Sequence, residues 1–166
     1  MNLCEFEAEY GKFPDATTIA AVRKKSGSTL PLGTKSSNDF FRQLLAAGIA
    51  KTESIFYDKI KNVLKPDGVE SGGDAIAKGE CGYAYLSGLS SKGNPSRPLV
   101  VTPLIPGTDR FDPTRFDGKA VILKMDNSVS SHPIDKAGHV IIGGVNILDP
   151  THPVWGSDKP VLVWQD

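Results

Sequence analysis

The sequence predicts an α+β fold in which an N-terminal helix packs on an antiparallel β-sheet, with additional short helices and loops. Three observations predict it. Apolar residues recur at helical spacing only in the first 64 or so positions. From residue 81 onward, short alternating or β-branched runs take over. Gly (17) and Pro (12) are too frequent for a helical bundle and fit a chain with many turns. The length of 166 residues suits one core, so the expectation is a single domain over 1–166, helices mainly in 2–64 and strands mainly in 81–166.

The first helix is expected over residues 2–10. Leu3, Phe6 and Tyr10 fall at i, i+3 and i+7 and form one face, predicted to dock on the sheet, with Glu5, Glu7 and Glu9 outside it. Gly11 is a natural residue to follow a helix end, and Pro14 stands where the helix cannot continue. A helix this short is marginal alone in water, so it docks on a core or continues upstream. A second short helix is expected over 17–25 with Thr17 or Thr18 as cap, then a loop "SGSTLPLGTKSS". The strongest pattern is "SSNDFFRQLLAAG". Ser36 caps it, Asp39 completes a weak capping box, Phe40, Phe41, Leu44 and Leu45 form the stripe, and Gly48 ends it. "TESIFYDKIKNVL" suits a helix through Phe56, Ile60 and Leu64 and a strand through its β-branched and aromatic content; "PDGVESGGDAIAKGE" follows as a connector.

"CGYAYLSGL" alternates, with Tyr83 and Tyr85 on one face, and "NPSRPLVVTPL" is a short strand hemmed in by Pro95, Pro98 and Pro103. "KAVILKMDNSVSSHPI" reads as a hairpin about an Asp126-Asn127 turn, with Val121, Leu123 and Met125 on one face and Ile122 and Lys124 on the other. "HVIIGGVNIL" and "PVLVWQ" supply further strands.

Chemistry-bearing patterns are sparse. Nineteen basic side chains balance nineteen acidic ones with no basic block, which argues against a nucleic-acid partner. No apolar run approaches the ~20 residues of a membrane span, and the apolar stretch of a secretory leader is missing, so none is expected. Cys4 and Cys81 form no CxxC. They admit two readings: a disulfide worth ~4 kcal/mol in the chain-entropy model, or two separately buried thiols. His132, His139 and His152 lack ligand spacing, and no P-loop, dinucleotide or GxSxG pattern occurs. Asp109, Asp112, Asp117 and Asp126 can offer oxygen ligands to calcium, but Asp-Pro and Asp-Gly are ordinary turn dipeptides, and the turn reading is favoured. No catalytic residue, cofactor or metal is assigned, and the expectation is a non-enzymatic protein that works through its surfaces.

"FEAEYGKFPD" resembles the junction of type IV pilins and type II secretion pseudopilins, where the long N-terminal helix ends in a segment of the form Tyr…(Asp/Glu)-x-Gly-x-(Phe/Tyr)-Pro. Phe6, Tyr10, Gly11, Phe13 and Pro14 match it. "NDFFRQLLAAGIAKTESIFY", "GECGYAYLSG" and "FDGKAVILKMDNSV" resemble a subgroup of prepilin-like proteins more loosely. The resemblance implies a structural subunit of a pilus or pseudopilus-like filament, serving adhesion or secretion. It would be anchored in the inner membrane before assembly and displayed at the cell surface or in an extracellular filament afterwards. It implies other pilin or pseudopilin subunits as partners through an apolar helix half upstream of Leu3, with Met1 an added start. A host or matrix protein or glycan is a further partner, and membrane contact is through the upstream segment only. Two rivals remain. One is a cell-surface module binding carbohydrate or protein, with Trp155 and the tyrosines as platform, although Trp155 and Trp164 also fit a core, Trp164 the better. The other is a small hydrolase with Cys81 or a serine as nucleophile.

Overall fold

The computed structural model describes residues 3–60 and 63–166. The fold is α+β: among the described residues it has three α-helices, a five-stranded antiparallel sheet and a two-stranded hairpin. The chain divides into two compact units, Met1–Gly82 with Gln165–Asp166, and Tyr83–Trp164.

The first unit holds the helices. Helix α1 (Leu3–Tyr10) buries Leu3 and Phe6, while Tyr10 is half-buried and stacks on Phe6 at 4.5 Å between ring centroids; residue 2 lies outside the described residues. Gly11 ends the helix at φ 84, with its N–H on Glu7 O at 2.7 Å. Only glycine adopts that left-handed conformation without a Cβ penalty. Helix α2 (Ile19–Ser26) lies beside α1: Lys25 Nζ is 2.9 Å from Glu9 and 5.5 Å from the centre of the Tyr10 ring. Thr18 holds the N-cap position, but its side chain does not cap the helix. Asp15 Oδ1 accepts the N–H groups of Thr17 and Thr18 instead, so the cap expected of Thr17 or Thr18 is supplied by a carboxylate just ahead of them. Burial opposes ionisation of Asp15, yet the Thr17 hydroxyl and N–H and the Lys12 ammonium outweigh it and hold the carboxyl below its usual range.

Helix α3 (Ser37–Ala46) is capped as its sequence predicts, Ser36 Oγ accepting the Asp39 N–H at 3.4 Å. The reciprocal half is displaced by one residue, because Asp39 accepts from Lys35 N–H at 2.9 Å. Phe40, Phe41 and Leu44 are buried and Leu45 is half-buried, but Asn38, Arg42 and Gln43 are buried too. The described residues of 52–64 form neither the helix nor the strand the sequence allows. They make one 3₁₀ turn, Glu53–Phe56, whose Phe56 stacks on Phe41 at 5.1 Å, and continue irregularly. Lys59 at φ 56 breaks either period, and residues 61–62 lie outside the described residues.

The second unit is built on strands β1 (Ala84–Ser87), β2 (Pro98–Val101), β3 (Lys119–Lys124), β4 (Val129–Pro133) and, after a hairpin of β5 (Ile141–Ile142) and β6 (Val145–Asn146), β7 (Val161–Val163). The sheet order is β4-β3-β2-β1-β7, with β4 and β7 at its edges. All residues of β1 and β2 are buried, as expected of central strands. In β3, Ala120 and Ile122 face the core, while Val121 and Leu123 are half-buried. Met125, expected to share the Val121 face, lies beyond the strand, is buried, and donates its N–H to Arg97 O. The β3–β4 turn places Asn127 at φ 64 and closes with Lys124 N–H on Ser128 O at 2.9 Å. Just ahead of β3, Phe116, Asp117 and Gly118 are left-handed in succession (φ 48, 53 and 73).

Candidate functional site

The resemblance placed its weight on the end of α1, and those residues come together in the first unit. Behind the turn at Gly11, Phe13 and Pro14 are both buried. A phenylalanine side chain removed from water stabilises by roughly 1.5–3 kcal/mol, so the junction is a packed corner. Gly11 itself is exposed, with open space where a Cβ would lie. The two cysteines are not joined by a disulfide. Cys4 is exposed on α1, whereas Cys81 is buried with its Sγ 3.7 Å from Ser37 Oγ. The thiols are unpaired, as the second reading had it, but only Cys81 is buried.

The same unit contains a cluster that the sequence did not reveal. Ala75, Ile76 and Ala77 belong to no strand or helix, and side chains distant in sequence satisfy their backbone groups. Arg42 Nε donates to Ala75 O at 2.5 Å and Arg42 Nη2 to Ile76 O at 3.0 Å. Asn38 Nδ2 donates to Ile76 O and Ala77 O at 3.2 and 3.0 Å. Glu53 accepts from the N–H groups of Gly68 (2.7 Å) and Ile76 (3.1 Å), and Glu80 from those of Asp67 (3.2 Å) and Ala77 (2.7 Å). Ile76 is buried at φ 50, a conformation a β-branched residue adopts only where its surroundings over-determine it. Glu53, Asp67 and Glu80 bring one carboxylate oxygen each within 4.8 Å of the others. Oxygen ligands so spaced suit a hard cation. The four backbone N–H groups that Glu53 and Glu80 satisfy already account for their burial. Burial raises the Glu80 pKa, and the charges of Glu53 and Asp67 add to that rise against the Ala77 N–H.

In the second unit a buried arginine organises the chain between β6 and β7. Arg97 Nε donates to Val154 O at 3.0 Å, Nη2 to Trp155 O at 2.5 Å, and Nη1 to Asp158 at 2.6 Å. Trp155 is fully buried and its Nε1 donates to Ile147 O at 2.9 Å, while Trp164 is half-buried with its Nε1 on Thr108 O at 2.8 Å. Trp155, not Trp164, is thus the core tryptophan. Beside Arg97 opens a cleft of about 420 Å³, lined among others by Ser87, Ser90, Lys92, Asp158, Lys159 and Val161. A second, apolar cavity of about 220 Å³ lies between Pro98, Ile122, Ile147, His152 and Val154.

The histidines and the acidic loop serve local structure. His152 Nδ1 accepts the Val154 N–H at 3.1 Å, and its Nε2 lies 3.0 Å from Ile142 O. A carbonyl only accepts and a backbone N–H only donates, so the ring is the neutral Nε2–H tautomer. His139 is 3.8 Å from Asp109, and His132 reaches Ser130 at 2.9 Å. Burial, with Lys124 nearby, lowers the His132 pKa. Asp112 accepts from Thr114 N–H and hydroxyl and from Arg115, and Asp126 from Ser128 N–H. These are turn contacts, and among the described residues Asp109, Asp112, Asp117 and Asp126 form no three-ligand group.

No protein-family model, no curated protein and no solved structure matches this chain.

Proposed function

We propose that this chain is the globular part of a pilin-like or pseudopilin-like structural subunit. In this reading it is a non-enzymatic building block of a cell-surface filament and is held in the inner membrane before assembly. The observation that supports it most is the corner at the end of α1. A helix with Leu3 and Phe6 buried stops at a left-handed Gly11, and the chain turns straight into buried Phe13 and Pro14. An antiparallel meander of four strands in the second unit, β1 to β4 paired in sequence order, also agrees with the reading. Among the described residues no helix is long and apolar enough to cross a membrane, so the proposal requires a filament-forming helix half upstream of Leu3. Two of the residues on which the rivals rely are poorly placed for them. Trp155 is fully buried and offers no face to a ligand, and Cys81 is buried where an incoming electrophile would not reach it.

Mass spectrometry of the protein isolated from its native cells tests the proposal. The expected result is an apolar segment of about 20 residues immediately before Leu3, in protein recovered from membranes and from sheared surface filaments. A hydrophilic preceding segment, or a natural start at Met1, overturns it.

A further inference from the structure

Two features of the second unit meet at Val161. The first is the edge of the sheet at β7, where Val161 is exposed, Leu162 half-buried and Val163 buried. β7 pairs antiparallel with β1 on one side, through Tyr85–Val163, Leu86–Leu162 and Ser87–Val161, and ends the sheet on the other. Val161, its first residue, is 54% exposed. An edge strand presents unpaired N–H and C=O groups to any extended chain of matching geometry.

The second feature is the cleft beside that first residue. Among the described residues, Lys92, Arg97 and Lys159 line it with a single carboxylate, Asp158. Asp158 is committed to Arg97, and Arg97 is fixed by the two carbonyls it also binds. Lys92 and Lys159 are exposed, and among the described residues neither has an ion-pair partner. Two uncompensated cations therefore face one concavity of a chain whose formal net charge is zero. Ser87 and Ser90 add hydroxyls to the wall, and Leu89 adds an apolar patch.

We infer that this cleft and the β7 edge together receive the C-terminal end of an extended peptide. The peptide backbone pairs antiparallel with β7, and Lys92 and Lys159 hold its terminal carboxylate. Strand direction supports the carboxylate assignment. Every pairing in this sheet is antiparallel, and an antiparallel partner of β7 places its own C-terminal end beside Val161, where the lysines are. A free carboxylate supplies the charge those lysines lack, while the backbone pairing supplies affinity without sequence preference. An acidic glycan fits less well, because sugar rings stack on aromatic faces and among the described residues no aromatic side chain lines the cleft.

Calorimetric titration with a synthetic peptide of alternating threonine and valine tests this. The peptide is prepared as the free acid, as the C-terminal amide, and as two free acids N-methylated at alternate residues in either register. The free acid is expected to bind, with the amide about tenfold weaker or worse. One of the two N-methylated registers should lose binding. K92Q/K159Q should bind the free acid about tenfold more weakly with an unchanged circular dichroism spectrum, since both side chains are exposed; K159Q alone serves if the double variant unfolds. Equal binding of acid and amide overturns the carboxylate seat, and indifference to N-methylation in both registers overturns the strand pairing. Undetectable binding of the free acid, or tighter binding of oligogalacturonate than of the peptide, overturns the inference as a whole.

Discussion

Each unit buries one arginine that binds two consecutive carbonyls and one aspartate. Arg42 holds Ala75 and Ile76 with Asp39, and Arg97 holds Val154 and Trp155 with Asp158. The aspartates differ. Asp39 lies one turn away on α3 with its side chain 15% exposed, so the helix preforms the pair. Asp158 comes from a distant loop and is 58% exposed. The segments they hold differ more. Residues 75–77 have no ladder of their own and depend on Asn38, Glu53 and Glu80 as well. Residues 153–155 form a 3₁₀ turn capped by His152 and anchored by a fully buried tryptophan. Irregular chain is kept in place by many polar ties in the first unit, and by one large apolar side chain plus a few ties in the second.

The sharpest way to break this comparison is Trp155→Ala. It should cost about 4 kcal/mol in urea unfolding, more than loss of the arginine that holds the same turn. A smaller cost for Trp155→Ala than for Arg97→Met would show that polar ties dominate in both units. Next come the arginines themselves. Arg42→Met leaves two buried carbonyls without their charged donor and should cost about 3 kcal/mol. Arg97→Met should cost about 2 kcal/mol, because Trp155 still anchors the turn. Hydrogen exchange sharpens the contrast: amides of 66–82 should lose protection in Arg42→Met and keep it in Arg97→Met.

The smallest effect is on pH. Because the Glu80 carboxyl has a raised pKa in the folded chain, the native state takes up its proton before the unfolded state as pH falls. Its contribution to stability is therefore present below its ordinary pKa and is lost as pH rises through the raised one. Asp15 and Asp112 act in the opposite sense: burial opposes their ionisation, hydrogen bonds outweigh it, and their contribution is lost on acidification. Glu80→Gln should make the variant lose more stability than the parent in urea unfolding compared between about pH 7 and pH 4. A variant with the parent's pH dependence would show that Glu80 is not the group that responds.

Much of the fold was legible where structure is local. Ser36 and Asp39, the apolar stripe of α3, Gly11 and Gly48 as stops, and the Asp126-Asn127 hairpin all act between residues a few positions apart. Spacing encodes such relations directly. The stretch 52–82 was illegible for the opposite reason. Its order comes from Asn38 and Arg42 on α3 and from two buried glutamates, and no period in the segment records partners more than thirty residues away. Trp155 was misjudged against Trp164 because "VLVWQ" looks like a core strand. Arg97, which makes the loop around Trp155 a binding partner for its guanidinium, looks in sequence like any surface arginine. The cleft beside it was equally hidden, since Lys92 and Lys159 lie far apart in the chain and meet only through the β1–β7 pairing.

The sheet unit is an insertion. The polypeptide leaves the first unit after Gly82 and re-enters it at Gln165, where Asp166 N–H donates to Asn38 Oδ1 at 3.3 Å and Asp166 O accepts from Gly79 N–H at 2.9 Å. Tension drawn between Leu3 and Asp166 is thus met first inside the first unit, by contacts that include those two bonds.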